Sequence, residues 1–431
     1  MSNGTQTLPP GWRLTPLQEL ATFETGRTPA RAVPEFWAKD GADGIPWVSI
    51  ADMRPYGIIR STAERITPKA QQEVLRHRIS KRGTLLMSFK LTIGKVATLG
   101  IDAGHNEAII SIFPNGRINQ KYLEYFLSQV DYAEYQDRQV KGQTLNQEKI
   151  DRIQVAEPPK PEQEKIAAVL WKIQHAIEIE EKLIETTREL KQASLYRLFS
   201  HGLRNEQQKE TEAGPLPLSW NLKRLEECCD VVSSSLSYTD FADMAETTGI
   251  DTISAMGIKV SDMNLLGNET HILKANLRKS VSRKLADKKF VAPNTVVFPK
   301  RGAAIATNKK RMTTAWTVLD PNLIGVQAGE GVDSDFLFYW FQKFDLRTIT
   351  EPGPTPQLNK KNLTPLLLPV PSDPLEQTEI VGILQKVDSK ISVHKRRRAT
   401  LQELFKTVLH QLMTGDIRVA DLDIDVSEIQ P

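Results

Sequence analysis

The sequence of 431 residues has few cysteines, no long apolar run and little net charge. Its two cysteines, Cys228 and Cys229, are adjacent, and neighbouring cysteines rarely form a disulfide or a metal site alone. We expect both to be buried thiols in a reducing compartment. No apolar run approaches the roughly 18 residues of a membrane helix, and MSNGTQTLPPGW lacks the basic and then apolar stretches of a secretory signal. The sequence predicts a cytoplasmic chain.

The net charge of +3 does not by itself indicate a nucleic-acid partner. Catalytic motifs are absent as well. There is no Gly-x-x-x-x-Gly-Lys-Ser/Thr phosphate loop, and the Pro-Pro pair within Glu157–Lys160 lacks the flanking residues of an adenine methyltransferase loop. The seven histidines have no metal-ligand spacing. Acidic-x-Lys triplets at Asp287–Lys289 and Glu180–Lys182 lack the Pro-Asp partner of a nuclease, and we attribute them to chance. The sequence predicts no catalytic residue, metal ligand, cofactor-binding residue or cofactor.

An internal repeat covers most of the chain. PPKPEQEKIAAVLWKI, starting at Pro158, returns as PSDPLEQTEIVGILQKV, starting at Pro371, and a shift of 214 residues places Gln163 on Gln377. The later phrases LFSHGLR and LMTGDIR keep the same shift, whereas Trp12 and Trp220, near the start of each half, are 208 residues apart. A register shared over so many positions indicates duplication.

Both copies of the repeated element are predicted to be long amphipathic helices that pack antiparallel. Their apolar residues alternate in steps of four and three, the spacing of a coiled-coil seam. Pro161 and Pro374 stand near the starts, and Gly202 and Gly415 follow the ends. Each helix should span about 39 residues, or roughly 58 Å. The predicted seam consists of Ile166, Leu170, Ile173, Ile177, Ile380, Leu384, Val387, Ile391, Leu401 and Phe405.

The block before each helix has the texture of a mixed α/β domain. Short strand-like runs such as Gly44–Asp52 and Asn294–Pro299 are bounded by Gly and Pro, and aromatic helices at Tyr122–Leu127 and Phe336–Phe341 are expected in the core. The predicted fold class is α/β (mixed α+β), with two domains on small twisted sheets, two long helices and a pseudo-two-fold repeat. The predicted boundaries are 8–157 and 215–370 for the domains, 158–204 and 371–418 for the long helices, 205–214 for a linker, and 419–431 for a tail.

Local charge is more informative than the total. Nine Lys or Arg occur from Arg60 to Lys95 against two acidic residues, and twelve from Lys274 to Arg311 against one. A single basic run is usually a solvated face, but two at equivalent places favour a polyanion that is contacted twice. The candidate DNA-binding residues are Arg60, Arg76, Arg78, Lys81, Arg82, Lys90, Lys95, Lys274, Arg278, Lys279, Arg283, Lys284, Lys288, Lys289, Lys300, Arg301, Lys309, Lys310 and Arg311.

Several phrases carry a family resemblance. They are Ile45–Asp52, Ile66–Pro68, Gly83–Leu86, Thr92–Ala97, Gly142 through Asn146, Pro158–Gln163, Gly353 through Asn359, Pro369–Pro371 and Glu376–Gln377. The chain resembles the DNA-specificity subunit of type I restriction-modification systems over nearly all of residues 8–419. The second block departs from the pattern, because it has no obvious equivalent of Trp47 and has Lys300–Gly302 where the first has Ser88–Lys90.

The resemblance implies a non-catalytic subunit with two target-recognition domains. Its expected partners are double-stranded DNA, two methyltransferase subunits and restriction/translocase subunits. Because duplicated but diverged domains can dock in opposite orientations on one duplex, the expected target is asymmetric and bipartite. Two alternatives remain at this point. A coiled-coil scaffold without a DNA role would not retain nucleic acid, and a stand-alone DNA-modifying enzyme would methylate or cleave DNA without a partner.

Overall fold

The computed structural model describes residues 8–39, 43–135, 145–351, 353 and 356–427. The chain divides into two compact units: the first takes Met1–Glu181 and Arg396–Pro431, and the second takes Lys182–Lys395. Gly142, part of one motif named above, and the last four residues of the predicted tail lie outside the described residues.

Within its described residues, the first unit contains ten strands, three short α-helices, the start of one long helix and the end of the other. Their bounds are β1 Arg13–Pro16, β2 Ala21–Thr25, β3 Ile45–Val48, β4 Gly57–Ile59, β5 Glu64–Ile66, α1 Pro68–Glu73, β6 Leu85–Ser88, β7 Val96–Leu99, β8 Gly104–His105, β9 Ile109–Pro114, α2 Gln120–Leu127, α3 Gln147–Asp151, β10 Gln154–Glu157 and α4 Lys160–His201. The strands form a five-stranded sheet in the order β2-β9-β6-β7-β4, a three-stranded sheet β5-β3-β8 and the pair β1-β10.

The second unit repeats this plan. Its elements are β11 Gln208–Lys209, β12 Leu216–Pro217, β13 Asn221–Arg224, α5 Leu225–Cys228, β14 Cys229–Val232, α6 Tyr238–Asp243, β15 Thr252–Ile258, β16 His271–Ile272, β17 Leu277–Ser282, α7 Arg283–Lys289, β18 Val296–Pro299, β19 Arg311–Thr313, β20 Trp316–Leu319, β21 Leu323–Ala328, α8 Ser334–Lys343, α9 Lys360–Leu363, β22 Leu367–Val370 and α10 Pro374–Thr414. The sheet orders β14-β21-β18-β19-β16, β17-β15-β20 and β13-β22 match those of the first unit strand for strand, and β11-β12 is an additional pair. The mixed α/β class and the internal repeat are therefore confirmed.

The long helices run antiparallel within each unit. In the first unit, Glu162 near the start of α4 pairs with Arg418, just beyond the end of α10, and Glu180 pairs with Arg397. In the second unit, Lys191 pairs with Asp388 in the same sense. All ten predicted seam residues are buried or half-buried.

The aromatic helices α2 and α8 form part of the cores, as predicted. Tyr122 and Tyr125 are fully buried in the first unit, and Phe336 and Phe341 are in the second. Asn119 caps α2 by accepting a hydrogen bond from the Tyr122 amide, and Asp333 caps α8 through Phe336. Such caps satisfy amides that a helix start leaves without partners. Among the described residues, no helix is long and apolar enough to cross a membrane.

Candidate DNA-binding surfaces

The Glu-Gln phrase that opens each long helix is a structural joint. Glu162 accepts a hydrogen bond from the indole of Trp12 at 3.1 Å, and Glu376 accepts one from Trp220 at the same distance. All four side chains are buried. Each Trp directly precedes the strand that pairs with the last strand of its block, β1 after Trp12 and β13 after Trp220, so the bond ties the entry of the block to the helix that follows it. Removing one partner of a buried charge-assisted bond is costly.

The neighbouring glutamines complete the joint. Gln163 accepts a hydrogen bond from the Asn119 amide at 2.7 Å, and Gln377 accepts one from the Asp333 amide at 2.9 Å. Both donors are the N-cap residues of the aromatic helices. The most specific motif of the sequence therefore fixes the domain on its helix, and it is not a surface for ligands.

The two joints differ in what the opposite helix end contributes. In the first unit, the Arg418 guanidinium donates to both oxygens of Glu162, at 2.6 and 2.8 Å. In the second unit, the backbone amide of Leu203 donates to Glu376 at 2.7 Å. Arg204, which is equivalent to Arg418 in the repeat, pairs with Glu379 at 2.9 Å instead. A cation and a backbone amide thus fulfil the same role.

Several predicted DNA-binding cations of the first unit are already engaged. The Lys81 ammonium pairs with Asp102 at 2.8 Å. The Lys95 ammonium donates to the Ile50 carbonyl at 3.2 Å, and the Lys90 ammonium lies 5.1 Å from the centre of the Phe89 ring. These contacts hold loops of the domain, so these side chains are less available to a ligand than their charge suggests.

More of the second unit's cations have internal partners. Arg278 donates to the Leu273 carbonyl and Lys279 to the carbonyls of Ala242 and Met244. Arg283 pairs with Asp251 at 3.6 Å, Lys309 bonds Asn264, and Arg311 donates to the Lys310 carbonyl.

Lys310 is the most enclosed of the candidate cations, with 2% exposure. Its ammonium donates to Asn308 at 2.8 Å and to the Phe344 carbonyl at 2.6 Å. Burial lowers its pKa to about 8, because a low-dielectric surrounding disfavours the charged form. A side chain in this position holds the domain together, and we leave it out of the proposed surface.

The remaining ten candidates have no hydrogen bond or ion pair from their side-chain nitrogens within the described part of the chain. They are Arg60, Arg76, Arg78, Arg82, Lys274, Lys284, Lys288, Lys289, Lys300 and Arg301.

These ten unpaired cations occupy matching segments of the two units. Arg60 and Lys274 lie in the links β4–β5 and β16–β17. The β5–β6 link carries Arg76, Arg78 and Arg82, and the β17–β18 link carries the three lysines on α7. Both of these links join the three-stranded sheet to the five-stranded sheet. Lys300 and Arg301 follow β18, as Lys90 follows β6.

Counting charges from Arg60 onwards missed residues that precede the run. Arg54 is exposed and lines a cleft together with Arg60. Arg27 lines a second cleft with His77 and Arg78. A search for arginines beside predicted turns could have found Arg54, whereas Arg27 is brought close only by the pairing of strands. No group of three or more His, Cys, Asp or Glu side chains that could hold a metal occurs among the described residues.

The sequence matches the family model of the type I restriction modification DNA specificity domain twice, over residues 9–188 and 219–403. The chain belongs to this family. The type I restriction enzyme MjaIX specificity subunit of Methanocaldococcus jannaschii is 24% identical over 96% of this chain and 95% of that protein. A specificity subunit is the non-catalytic, DNA-recognising component of such a system, so the resemblance inferred from the sequence is confirmed.

Solved specificity-subunit structures share the fold. The type I restriction-modification S subunit from M. genitalium superposes with a TM-score of 0.57 at 13% identity, over 96% of this chain and 98% of that one. A chain from a structural study of complex assembly and conformational transition in a type I system gives a TM-score of 0.54 at 15% identity, over 95% and 100%.

Proposed function

We propose that the two blocks of this specificity subunit, 8–157 and 215–370, are target-recognition domains that each read one half of an asymmetric, bipartite DNA sequence. One observation carries the proposal: the same fold occurs twice, with unpaired cations on the same connecting segments but different side chains around them. Cations at matching places can hold phosphates in both halves, and different neighbours read different bases.

The unpaired cations are proposed to position the DNA backbone. Ten cations without an internal partner remain after the paired ones are set aside, and such a group of basic side chains is typical of a surface that binds a polyanion. If six to ten of them neutralise phosphates, affinity should fall by about 10³ to 10⁵ between 50 and 200 mM salt. Because chromosomal DNA is the proposed target, we place the complex in the cytoplasm.

The partners are proposed to be two methyltransferase subunits, with restriction/translocase subunits joining that assembly. The two-fold repeat offers two equivalent docking places, because each unit contains the start of one long helix and the end of the other. Two docking places related by a two-fold axis call for two copies of the partner. The chain alone should therefore modify no DNA.

The test is to express the chain with and without the methyltransferase subunit of its restriction-modification system and to map methylated adenines across the host genome. We expect a two-part motif with a constant gap only when both are present, and two methyltransferase subunits per chain by mass measurement. Methylation by the chain alone, or saturation with a single partner, would contradict the proposal. A second measurement distinguishes DNA recognition from a scaffold role. We expect nucleic acid to co-purify with the chain and to be released by salt, whereas a scaffold without a DNA role would retain none.

A further inference from the structure

Helix α1 of the first unit ends in a turn that is unusual for its residue types. The amide of His77 donates to the Gln71 carbonyl at 3.0 Å and that of Leu75 to Ala70 at 3.1 Å. A residue in the left-handed region commonly follows the end of a helix. That place usually holds glycine. Here Arg76 has φ of 51° and the next residue, His77, has φ of 62°. Two successive non-glycine residues in this region carry backbone strain, which concentrates at functional sites.

The turn is held firmly despite this strain. Leu75 is anchored in the core with 2% exposure. The Arg27 guanidinium donates to the Val74 carbonyl at 3.1 Å, and the amide of Arg78 donates to the Leu75 carbonyl at 3.0 Å. A rigid backbone fixes where the side chains project, and such preorganisation is required to distinguish one base pair from another.

The side chains on this turn are unengaged, in contrast to neighbouring cations. Arg76, His77 and Arg78 are exposed and make no side-chain hydrogen bond or ion pair within the described residues. On the preceding helix, Lys69 pairs with Glu35, and on β5 the Arg65 guanidinium donates to the Gly44 carbonyl at 2.9 Å. The protein satisfies the cations beside the turn and leaves those on it free.

Two clefts adjoin the turn. His77 and Arg78 line one of about 210 Å³, together with Thr25 and Arg27. Arg76 lines the other, with Thr28 among its neighbours. The turn therefore borders two concave surfaces that carry further polar groups.

We propose that Arg76, His77 and Arg78 form the base-reading element of the first unit, and that at least one of the two arginines binds a guanine edge in the major groove. This inference rests on the proposed function. A guanidinium can donate two parallel hydrogen bonds to O6 and N7 of guanine, whereas a lysine ammonium acts as a point charge. The matching segment of the second unit carries only Lys284, Lys288 and Lys289 as unpaired cations, which suits phosphate contact.

The experiment uses the full chain with its methyltransferase subunits and maps the methylated motif for single variants. Arg76→Gly is the sharpest, because glycine suits the left-handed backbone and the substitution removes the whole side chain without straining the turn. We expect its melting temperature to be equal to or above that of the wild type, while one of the Arg76→Gly and Arg78→Ala variants loses preference for one G·C pair by about 5- to 150-fold. Arg76→Lys or Arg78→Lys at the same position should retain affinity without restoring that preference.

Lys69→Ala is the matched control, since it removes an exposed but paired cation from α1, the helix that leads into the turn. It should leave the motif intact, and in every variant the other half of the motif should stay unchanged. If Arg76→Gly, His77→Ala and Arg78→Ala all weaken methylation evenly with an unaltered motif, the turn contacts phosphates only and the inference is wrong, while the proposed function stands. If the wild-type complex yields no two-part motif, the proposed function itself fails.

Discussion

In each three-stranded sheet, a large residue and a glycine face each other where the central strand pairs with its parallel neighbour. The large residue is on the central strand in the first unit and on the neighbouring strand in the second. In the first unit Trp47 on β3 lies beside Gly104 on β8. In the second unit Gly257 on β15 lies beside Val318 on β20. Trp47 and Gly257 are equivalent, because each comes two residues before the same kind of turn. In that turn an Asp side chain accepts a hydrogen bond at 2.8 Å from a backbone amide, that of Ser49 in the first unit and that of Lys259 in the second.

The space left by Gly257 is filled from another element. A Cβ on Gly257 would lie 2.9 Å from the ring of Phe241 on α6, and Phe241 is fully buried. The second unit therefore has a counterpart of the Trp47 ring, but a helix supplies it. A close-packed core requires that the side-chain volume be filled but does not fix which position of the chain fills it. For this reason an alignment of the two halves of the sequence shows no equivalent of Trp47.

The largest expected effect comes from rotating one helix end. Inserting two residues after Leu190 turns the rest of α4 by roughly 200° and removes Leu195, Leu198 and Phe199 from the second unit's core, where all three are buried. Each lost side chain is worth about 2–5 kcal/mol, so the second unit should unfold while the first keeps its protection in hydrogen exchange. Equal loss of protection in both units would contradict this prediction.

A four-residue insertion is the matched counterpart. Placed after Leu190 and again after Asp388, it lengthens each helix by about 6 Å and restores the seam to within about 40°. If the helices set the gap between half-sites, the methylated motif should keep both halves and gain one to two base pairs of spacer, at about 3.4 Å each. An unchanged gap in an active variant would show that the helices do not set the spacer.

Removing the rings compared above should cost both units about equally. Trp47→Ala and Phe241→Ala should each lower the free energy of unfolding by about 3–5 kcal/mol. Trp47→Ala should lie at the upper end, because the indole also donates to the Arg27 carbonyl at 3.1 Å. Denaturant unfolding of the full chain, followed by exchange in each unit, measures this. A loss below about 1 kcal/mol for Phe241→Ala would mean that its ring does not take the part of Trp47.

Acid should weaken the β1–β10 pair of the first unit more than the matching β13–β22 pair of the second. Burial alone raises the pKa of Glu157, but hydrogen bonds from Arg13, Thr15 and Arg117 outweigh it and lower the pKa to about 2. The matching pair in the second unit, Asn221 and Val370, carries no charge.

Since the folded pKa of Glu157 lies below the unfolded value, its stabilisation of up to about 3 kcal/mol is present at neutral pH. It is lost as pH falls from about 4.5 to about 2. Hydrogen exchange along this range should show the β1–β10 pair opening before the β13–β22 pair, and Glu157→Gln should remove that pH dependence. Loss of protection at the same pH in both strand pairs would contradict the prediction.

The smallest effect concerns self-pairing of half a chain. A fragment ending near Asn205 should pair with a second copy through α4 and recognise an inverted symmetric site. In the full chain the ring centres of Phe405 and Tyr125 are 6.0 Å apart. In the paired fragment Lys191 of the second copy would take the place of Phe405. In the full chain Lys191 forms an ion pair with Asp388 of α10 at 2.7 Å. In the self-paired fragment α4 replaces α10, and α4 has Gln174 at the position equivalent to Asp388. An amine without its carboxylate is costly to bury.

Lys191→Phe should therefore tighten self-association of the fragment at least tenfold, or about 1.4 kcal/mol. Sedimentation of the two fragments at several concentrations measures this, with Glu189→Ala, at an exposed position of the same helix, as the control. A wild-type fragment that stays folded and monomeric at high concentration would contradict the pairing itself.

Periodicity and repetition predicted most of the architecture from the sequence. The step of four and three in Ile166, Leu170, Ile173 and Ile177 depends only on neighbours along one helix, and the duplicated phrases required two copies of one domain. The state of each cation could not be predicted in this way. Lys310 and Lys284 look alike in sequence, yet one is buried against the Phe344 carbonyl and the other is exposed, because strand pairing decides which carbonyls approach.

The joint of Trp12, Glu162 and Arg418 has a consequence for how such genes change. Three of its side chains lie at the ends of the first block or beyond them, with Trp12 before β1, Glu162 after β10 and Arg418 after α10. A recombination event that exchanged only the residues between Trp12 and Glu162 would leave these three in place, and the incoming segment would have to supply again the backbone amide that Asn119 donates to Gln163. New DNA specificities can therefore be inherited as whole cassettes, with the buried glutamate as the feature that an incoming segment must accommodate.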